Sequence, residues 1–289
     1  AVFRKETLYQ KMRALIIYLV ISAVFIGCTP ILSIDASTQS VYHFSDTDKN
    51  ISLLDISETF GTYDGSFVLY DNNLDSWKIY DLEEATKRIP PESTYKIYDA
   101  LLGLESGIIT PEHSSMTWNG DAFPFPSWEA DQDLNSAMQN SVNWYFQAID
   151  SQLGINRVQE FLNKIEYGNQ TTSSNLDLYW SDFSLKISPL EQVTLLKKFN
   201  TNEFHLNSQN VFSVKNAIKI ASTPNGNFYG KTGTGRVNGQ DINGWFIGYV
   251  ETSDNSYYFA TNIQSDSNAT GKKAFEITSD ILKKLHIWN

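Results

Sequence analysis

Strand-type sequence at both ends of one long segment, with helix-type sequence between, narrows the folds open to this chain more than any other feature. Residues 65–70 (GSFVLY) form a short apolar, β-branched and aromatic run that stops at the turn Asp71-Asn72-Asn73, and residues 77–80 (WKIY) read as its hairpin partner. From about residue 91 to 220 the periodicity is helical, with helices expected over 137–150, 155–165 and 189–199 and loops such as Pro124-Phe125-Pro126 between them. Strands return after Pro224-Asn225-Gly226, over 227–234, 244–252 and 256–264, joined by turns at Asn238-Gly239 and Ser253-Asp254-Asn255. A last helix over about 270–285 places Ala274, Ile277, Ile281 and Leu285 on one face. The predicted class is α/β (α+β): an antiparallel sheet assembled from both ends of the segment, flanked by helices, with a helical subdomain beside it. A cleft is expected where sheet and subdomain meet.

The N-terminal part obeys different rules. No charge interrupts the sequence between Arg13 and Asp35, and about 20 apolar residues in a helix cross about 30 Å of hydrocarbon. Arg4, Lys5, Lys11 and Arg13 precede this run, whereas the next basic residue after it is Lys49. The charge asymmetry predicts a cytoplasmic segment 1–13, a transmembrane helix 14–34 and an extracellular domain 35–289 in the cell membrane. A cleaved signal, or a lipoprotein signal ending at Cys28, is the competing reading; the bulky Phe25 counts against a lipid anchor. A chain that opens on Ala1 is expected to be a fragment of something longer.

Composition excludes several functions. The net charge of −11 repels DNA and RNA, so no nucleic-acid partner is expected. Cys28 is the single cysteine, which rules out an internal disulfide. His43, His113, His205 and His286 are scattered, with no HExxH, so no metal site is expected.

Three short patterns can carry chemistry. Ser93 and Lys96 in PPESTYKIY stand three residues apart, one turn of a helix that Pro90 and Pro91 suit as an entrance. In the first turn the free backbone N–H groups favour an oxyanion, and on a mostly apolar helix Lys96 is expected to be buried and neutral, able to take the serine proton. Such an amine can also react with carbon dioxide to give a carbamate that serves as the base. Ser141-Val142-Asn143 offers a hydroxyl to relay a proton to a leaving nitrogen and an amide to meet a substrate or Lys96. Lys231-Thr232-Gly233-Thr234 sits on the strand that opens the C-terminal meander, with Gly230 and Gly233 permitting close approach of a ligand. Taken singly, each pattern is more often a solvated helix face, a polar helix break or a guarded edge strand. In this order and company that bland reading becomes improbable.

The ordered set S-x-x-K, S-x-N and K-T-G resembles the penicillin-recognising serine fold. Within it the chain resembles class D (oxacillinase-type) β-lactamases and, more specifically, BlaR/MecR-type β-lactam sensor domains, over about residues 65–285. GSFVLYD (65–71), WEADQDLNSAM (128–138) and GWFIG (244–248) look like segments of that group, Tyr167-Gly168-Asn169 matches the class D YGN motif, and Trp180 falls 13 residues beyond Tyr167. The resemblance implies that Ser93 is acylated by a β-lactam, that Lys96, N-carboxylated, is its base, and that Ser141 passes the proton to the ring nitrogen. It further implies that Lys231 and Thr232 hold the ligand carboxylate, that the N–H groups of Ser93 and Thr234 form the oxyanion hole, and that Trp180 hydrogen-bonds the carboxylated lysine. Two departures from class D stand out. Asn143 replaces the usual valine, a feature of the sensors together with ESTYK and NWYFQ, and no arginine is placed near the last helix, where Lys272 or Lys273 is the substitute. The expected function is a β-lactam receptor with slow deacylation that signals resistance-gene induction, with a cytoplasmic protease upstream in the same polypeptide. Alternatives are an exported class D β-lactamase, a penicillin-binding D,D-peptidase and, more distantly, a non-catalytic binding module.

Overall fold

The computed structural model describes residues 50–289. The expected cytoplasmic and transmembrane segments, 1–13 and 14–34, lie outside the described residues. Among the described residues no helix is long and apolar enough to cross a membrane.

A seven-stranded sheet is ordered β1-β3-β2-β7-β6-β5-β4. Its strands are β1 (Ile51–Leu53), β2 (Asp64–Asp71), β3 (Ser76–Tyr80), β4 (Lys219–Thr223), β5 (Gly226–Val237), β6 (Gln240–Glu251) and β7 (Ser256–Gln264). All three expected hairpins are present, and β2 joins β7 over its whole length, which closes the two ends of the segment into one sheet. The β5–β6 turn places Asn238 and Gly239 at φ 50° and 80°, the left-handed pair that a two-residue hairpin favours. Two features depart from expectation. β1 pairs parallel with β3, so the sheet is not wholly antiparallel. β4 was not foreseen: four of its five residues are exposed, so its sequence lacks the alternation that marks a half-buried strand.

Alternation along the central strands builds two cores. Phe67, Leu69, Phe228, Phe246, Phe259 and Ile263 face α9 (Gly271–Lys284), whose buried stripe is Ala274, Ile277 and Ile281. Val68, Tyr70, Tyr229, Ile247, Tyr249 and Ala260 face the helical region on the other side. Fully burying each large side chain contributes about 1.5–3 kcal/mol, so both helical layers are held by the sheet.

After the short helices α1 (Ser57–Phe60) and α2 (Leu82–Thr86), the helical region contains α3 (Lys96–Glu105), α4 (Leu134–Gln139), α5 (Asn143–Leu153), α6 (Ile155–Ile165), α7 (Pro189–Asn200) and α8 (Ser208–Ala217). A capping box between Ser188 and Glu191 starts α7, with Pro189 at its first position. The single helix expected over 137–150 is broken. After α4 the chain turns through Asn140, Ser141 at φ 54° and extended Val142 before α5 begins. The Trp128 indole N–H takes the Asn140 carbonyl and the Asn140 amide bonds back to Ser136, so local polar groups replace the helical ladder.

Candidate active site

The nucleophile segment is fixed before it meets any ligand. Residues Glu92–Tyr95 form one 3-10 turn that runs directly into α3. The Pro90 carbonyl accepts from the Trp245 indole at 2.8 Å and from the Asn243 amide at 3.1 Å, both on β6. The Glu92 N–H donates to the Trp180 carbonyl, and the Thr94 hydroxyl accepts from Gln192 of α7. Glu92 itself is buried at φ 51°, a conformation that costs a side-chain-bearing residue of order 1–3 kcal/mol and persists only where its surroundings fix it. A Cβ on Gly235 would run into the Glu92 carboxyl, and one on Gly233 would come within 3.2 Å of the Ser93 nitrogen. Gly233 of the third motif and Gly235 beyond it thus admit the nucleophile segment against β5, where ligand access was expected of Gly233, and a Cβ on Gly230, the other glycine so expected, would meet the Phe246 ring.

Lys96 is wholly buried, and its Nζ lies 2.8 Å from Ser93 Oγ, 3.1 Å from both the carbonyl and hydroxyl oxygens of Ser141, and 2.5 Å from Asn143 Oδ1. The left-handed Ser141 is what aims its carbonyl and hydroxyl at the same nitrogen. Burial, then the nearby charge of Lys231, holds Lys96 well below the ordinary lysine range, against the opposing pull of Asp99 and Glu92. Counting hydrogens identifies the form this arrangement suits. A neutral amine has two N–H groups and one lone pair. The Ser141 carbonyl and Asn143 Oδ1 can only accept, so they take both N–H groups, and the lone pair is left for the Ser93 hydroxyl proton.

Lys231 faces the same point from the sheet. Its Nζ lies 3.0 Å from Ser141 Oγ and 2.9 Å from the Thr232 carbonyl, and burial lowers it to about 7. The Ser141 hydroxyl therefore lies between the two lysines, 3.1 Å from Lys96 Nζ and 3.0 Å from Lys231 Nζ. β4 covers β5 only as far as Tyr229, and the Gly230 N–H reaches back to Ile218. By strand alternation the N–H and C=O groups of Thr232 and Thr234 point to that same outer edge, beyond the end of β4 and beside the nucleophile segment. This is the side where an oxyanion or an extended amide can pair.

Several expected residues lie elsewhere than anticipated. The Thr232 and Thr234 side chains are on the α9 face: the Thr234 hydroxyl accepts from Gly271 N–H at 2.9 Å, and a Cβ on Gly271 would come within 2.8 Å of Thr232 Cβ. The two threonines offer main chain, not hydroxyls, to the Lys231 side. Trp180 is buried: its ring stacks on Tyr95 at 6.3 Å between ring centroids and its carbonyl accepts from Glu92 N–H, while the partners of Lys96 Nζ are Ser93, Ser141 and Asn143. Lys273 is paired with Glu276, and Lys272 is exposed in the first turn of α9. Tyr167 packs edge-on against Tyr95 and Tyr98, while Asn169 bonds Lys186 and Ser184, so the YGN turn supports α3 from behind. Sequence reasoning missed Glu92, Asn243 and the buried carboxyls Asp99 and Asp150. Asp99 had one legible signal: it lies one turn on from Lys96 in an otherwise apolar helix.

A fixed serine, a buried lysine aimed at it, a second serine between two lysines and an open strand edge define a serine acyl-transfer site of the penicillin-recognising class. Residues 61–283 match the penicillin binding protein transpeptidase domain, and the chain belongs to that family. Within it the chain is similar to the regulatory protein BlaR1 of Bacillus licheniformis, 44% identical over 97% of this chain and 46% of that protein. The chain thus spans about half the length of that curated relative. The solved C-terminal domain of the Bacillus licheniformis BlaR penicillin-receptor is 46% identical with a TM-score of 0.80, over 83% of this chain and 98% of that one. A class D β-lactamase from Bacillus subtilis is 36% identical with a TM-score of 0.77, over 82% and 97%.

Proposed function

We propose that this domain is a β-lactam sensor: Ser93 is acylated once by a penicillin or cephalosporin, and the adduct persists. The observation that carries this reading is the Lys96–Asn143 contact, in which Asn143 Oδ1 claims an N–H of the amine whose lone pair faces Ser93. Lys96 takes the Ser93 proton as Oγ bonds to the lactam carbonyl carbon. The N–H groups of Ser93 and Thr234 hold the oxyanion, the C–N bond breaks, and Ser141 hands the proton from Lys96 to the ring nitrogen. Lys231 holds the ligand carboxylate. Deacylation needs a base for water. A carbamate on Lys96 would supply it, and its formation joins Nζ to the carbon of carbon dioxide and releases a proton. Asn143 favours the free amine over that carbamate, so no base remains after acylation and the ester lasts. In this reading a Lys96 that is N-carboxylated at rest would return to the free amine through this same equilibrium once Ser93 is acylated.

The similarity to the BlaR regulatory protein and penicillin-receptor supports the sensor reading, as does the uncharged run 14–34, which is read as the span that places residues 35–289 outside the cell. In the whole protein the adduct would act on a cytoplasmic protease region of the same polypeptide and so induce resistance genes. A class D β-lactamase is the second reading, favoured by Tyr167-Gly168-Asn169 and by the Bacillus subtilis structure. Mixing the purified protein with a labelled penicillin separates the two. A one-to-one adduct on Ser93 that keeps its label for hours supports the sensor, whereas many turnovers within minutes would sink it.

A further inference from the structure

Two buried carboxyls behind the site have no part in the chemistry so far. Asp99 on α3 and Asp150 on α5 are both wholly inaccessible to solvent and face each other within hydrogen-bonding reach. The Tyr179 hydroxyl approaches Asp150 Oδ1 at 3.4 Å, while among the described residues both Asp99 oxygens and Asp150 Oδ2 receive no donor from any other group. Among the described residues neither is in a salt bridge. Two like charges this close, away from water and without a cation, cannot both ionise. One proton between them supplies the missing hydrogen bond.

Their place on the helices gives the pair a target. Asp99 lies one turn on from Lys96, and Asp150 two turns on from Asn143, so α3 and α5 are joined at two levels, Lys96 to Asn143 and Asp99 to Asp150. The ionisable groups facing the pair are Lys96 on α3, Tyr95 on the 3-10 turn before it, Tyr145 on α5, and Asp177 and Tyr179 on the loop after the YGN turn. Burial pushes both carboxyls up, and the neighbouring Asp99 pushes Asp150 up further, so Asp150 keeps the proton.

We propose that Asp99 and Asp150 share one proton and hold one negative charge beneath Lys96, and that this charge disfavours a second anion, the Lys96 carbamate, and so prolongs the acyl adduct. The inference rests on reading Lys96 as the base. In a poorly screened interior an anion one helical turn away favours the amine and its cation over the carbamate. The two aspartates are thus positioning residues that act through Lys96.

Amide replacements separate charge from packing. Asp150→Asn leaves an amide donating to an ionised Asp99, which mimics the acid–carboxylate pair and keeps the charge. The double variant Asp99→Asn with Asp150→Asn keeps an amide pair but removes the charge. Each purified protein is given 13C-bicarbonate, the carbamate carbon is followed by NMR, and the lifetime of a penicillin adduct is followed by mass spectrometry. The single variant should match the unmodified protein in both. The double variant should show more carbamate and an adduct at least about tenfold shorter-lived, dependent on added carbon dioxide. A folded double variant, shown by one-to-one acylation, with unchanged carbamate and lifetime would overturn the proposal. So would a single variant that already shows the whole effect. Ser93→Ala tests the underlying reading separately: an adduct that still forms on that variant removes Ser93 as nucleophile and leaves the carbamate measurement intact.

Discussion

Two lysines meet at one hydroxyl, yet the walls they come from differ. On the helical wall Lys96 is surrounded by four oxygens within 3.1 Å, two of which are carbonyls that fix the direction of its lone pair. On the sheet wall Lys231 has Ser141 and its own neighbour's carbonyl, and it projects from a strand whose outer edge extends beyond β4. The first environment orients a base, and the second presents a charge and a row of backbone groups. A helix wall crowded with side chains suits bond making, because each contact is set by packing. A bare strand edge suits holding, because its spacing repeats for any extended amide.

The sharpest way to break this division is on the helical wall. Lys96→Ala should slow acylation by about a thousandfold at saturating penicillin, the loss expected for a general base. A loss as small as that of Lys231→Ala would erase the distinction. On the sheet wall Lys231→Ala should cost about 10- to 100-fold, the worth of about 1.5–3 kcal/mol for a hydrogen bond to a charged group. The loss should appear in the concentration needed for half-maximal rate, and only for ligands with a carboxylate.

Acidity sharpens the same contrast. Because burial lowers Lys231 to about 7, its cation is present below that pH and lost above it, so the second-order acylation constant should fall as pH rises through about 7. Lys96 works in the opposite sense, since the amine must be unprotonated to act. Lys231→Arg should abolish the descending limb alone, because arginine stays charged. Asn143→Val changes the helical wall without touching the sheet. It should shorten the adduct lifetime and leave the pH of that limb in place, which mass spectrometry at several pH values would show.

The smallest expected effect concerns the seam between the walls. Burial raises Glu92 to about 8, so the folded protein holds a proton there that the unfolded chain has already lost above its ordinary carboxyl range. Stability from this group is therefore complete below about 4.5 and falls as pH rises towards 8. Glu92→Gln should raise the melting temperature by about 2–4 °C at pH 8 if it recovers about 1 kcal/mol, and by less at pH 5. An equal shift at both would show that Glu92 acts by shape alone.

Local periodicity made much of this legible. The hairpins at residues 64–80 and 226–264 alternate or carry turn residues whose conformations are their own, so neighbours in sequence sufficed to place them. Ser93 and Lys96 are one helical turn apart wherever the helix goes. Residues 140–142 were less accessible, because a tryptophan from an earlier loop takes the carbonyl that would have continued the helix. β4 was invisible because its partner, not its own pattern, makes it a strand.

The chemistry available here is written along the chain: a serine with a lysine one turn away, a second serine and amide, and a lysine on a glycine-flanked strand. The sequence also sets the two-ended sheet that brings the last motif back to the first. Packing in three dimensions settles which oxygens take the hydrogens of Lys96, turns the side chains of Thr232 and Thr234 towards α9, and brings Asp99 to Asp150. Those outcomes depend on contacts between residues up to about 50 positions apart or more, and on burial that makes one unpaired proton or charge decisive. Neither distance nor dielectric is written in local sequence.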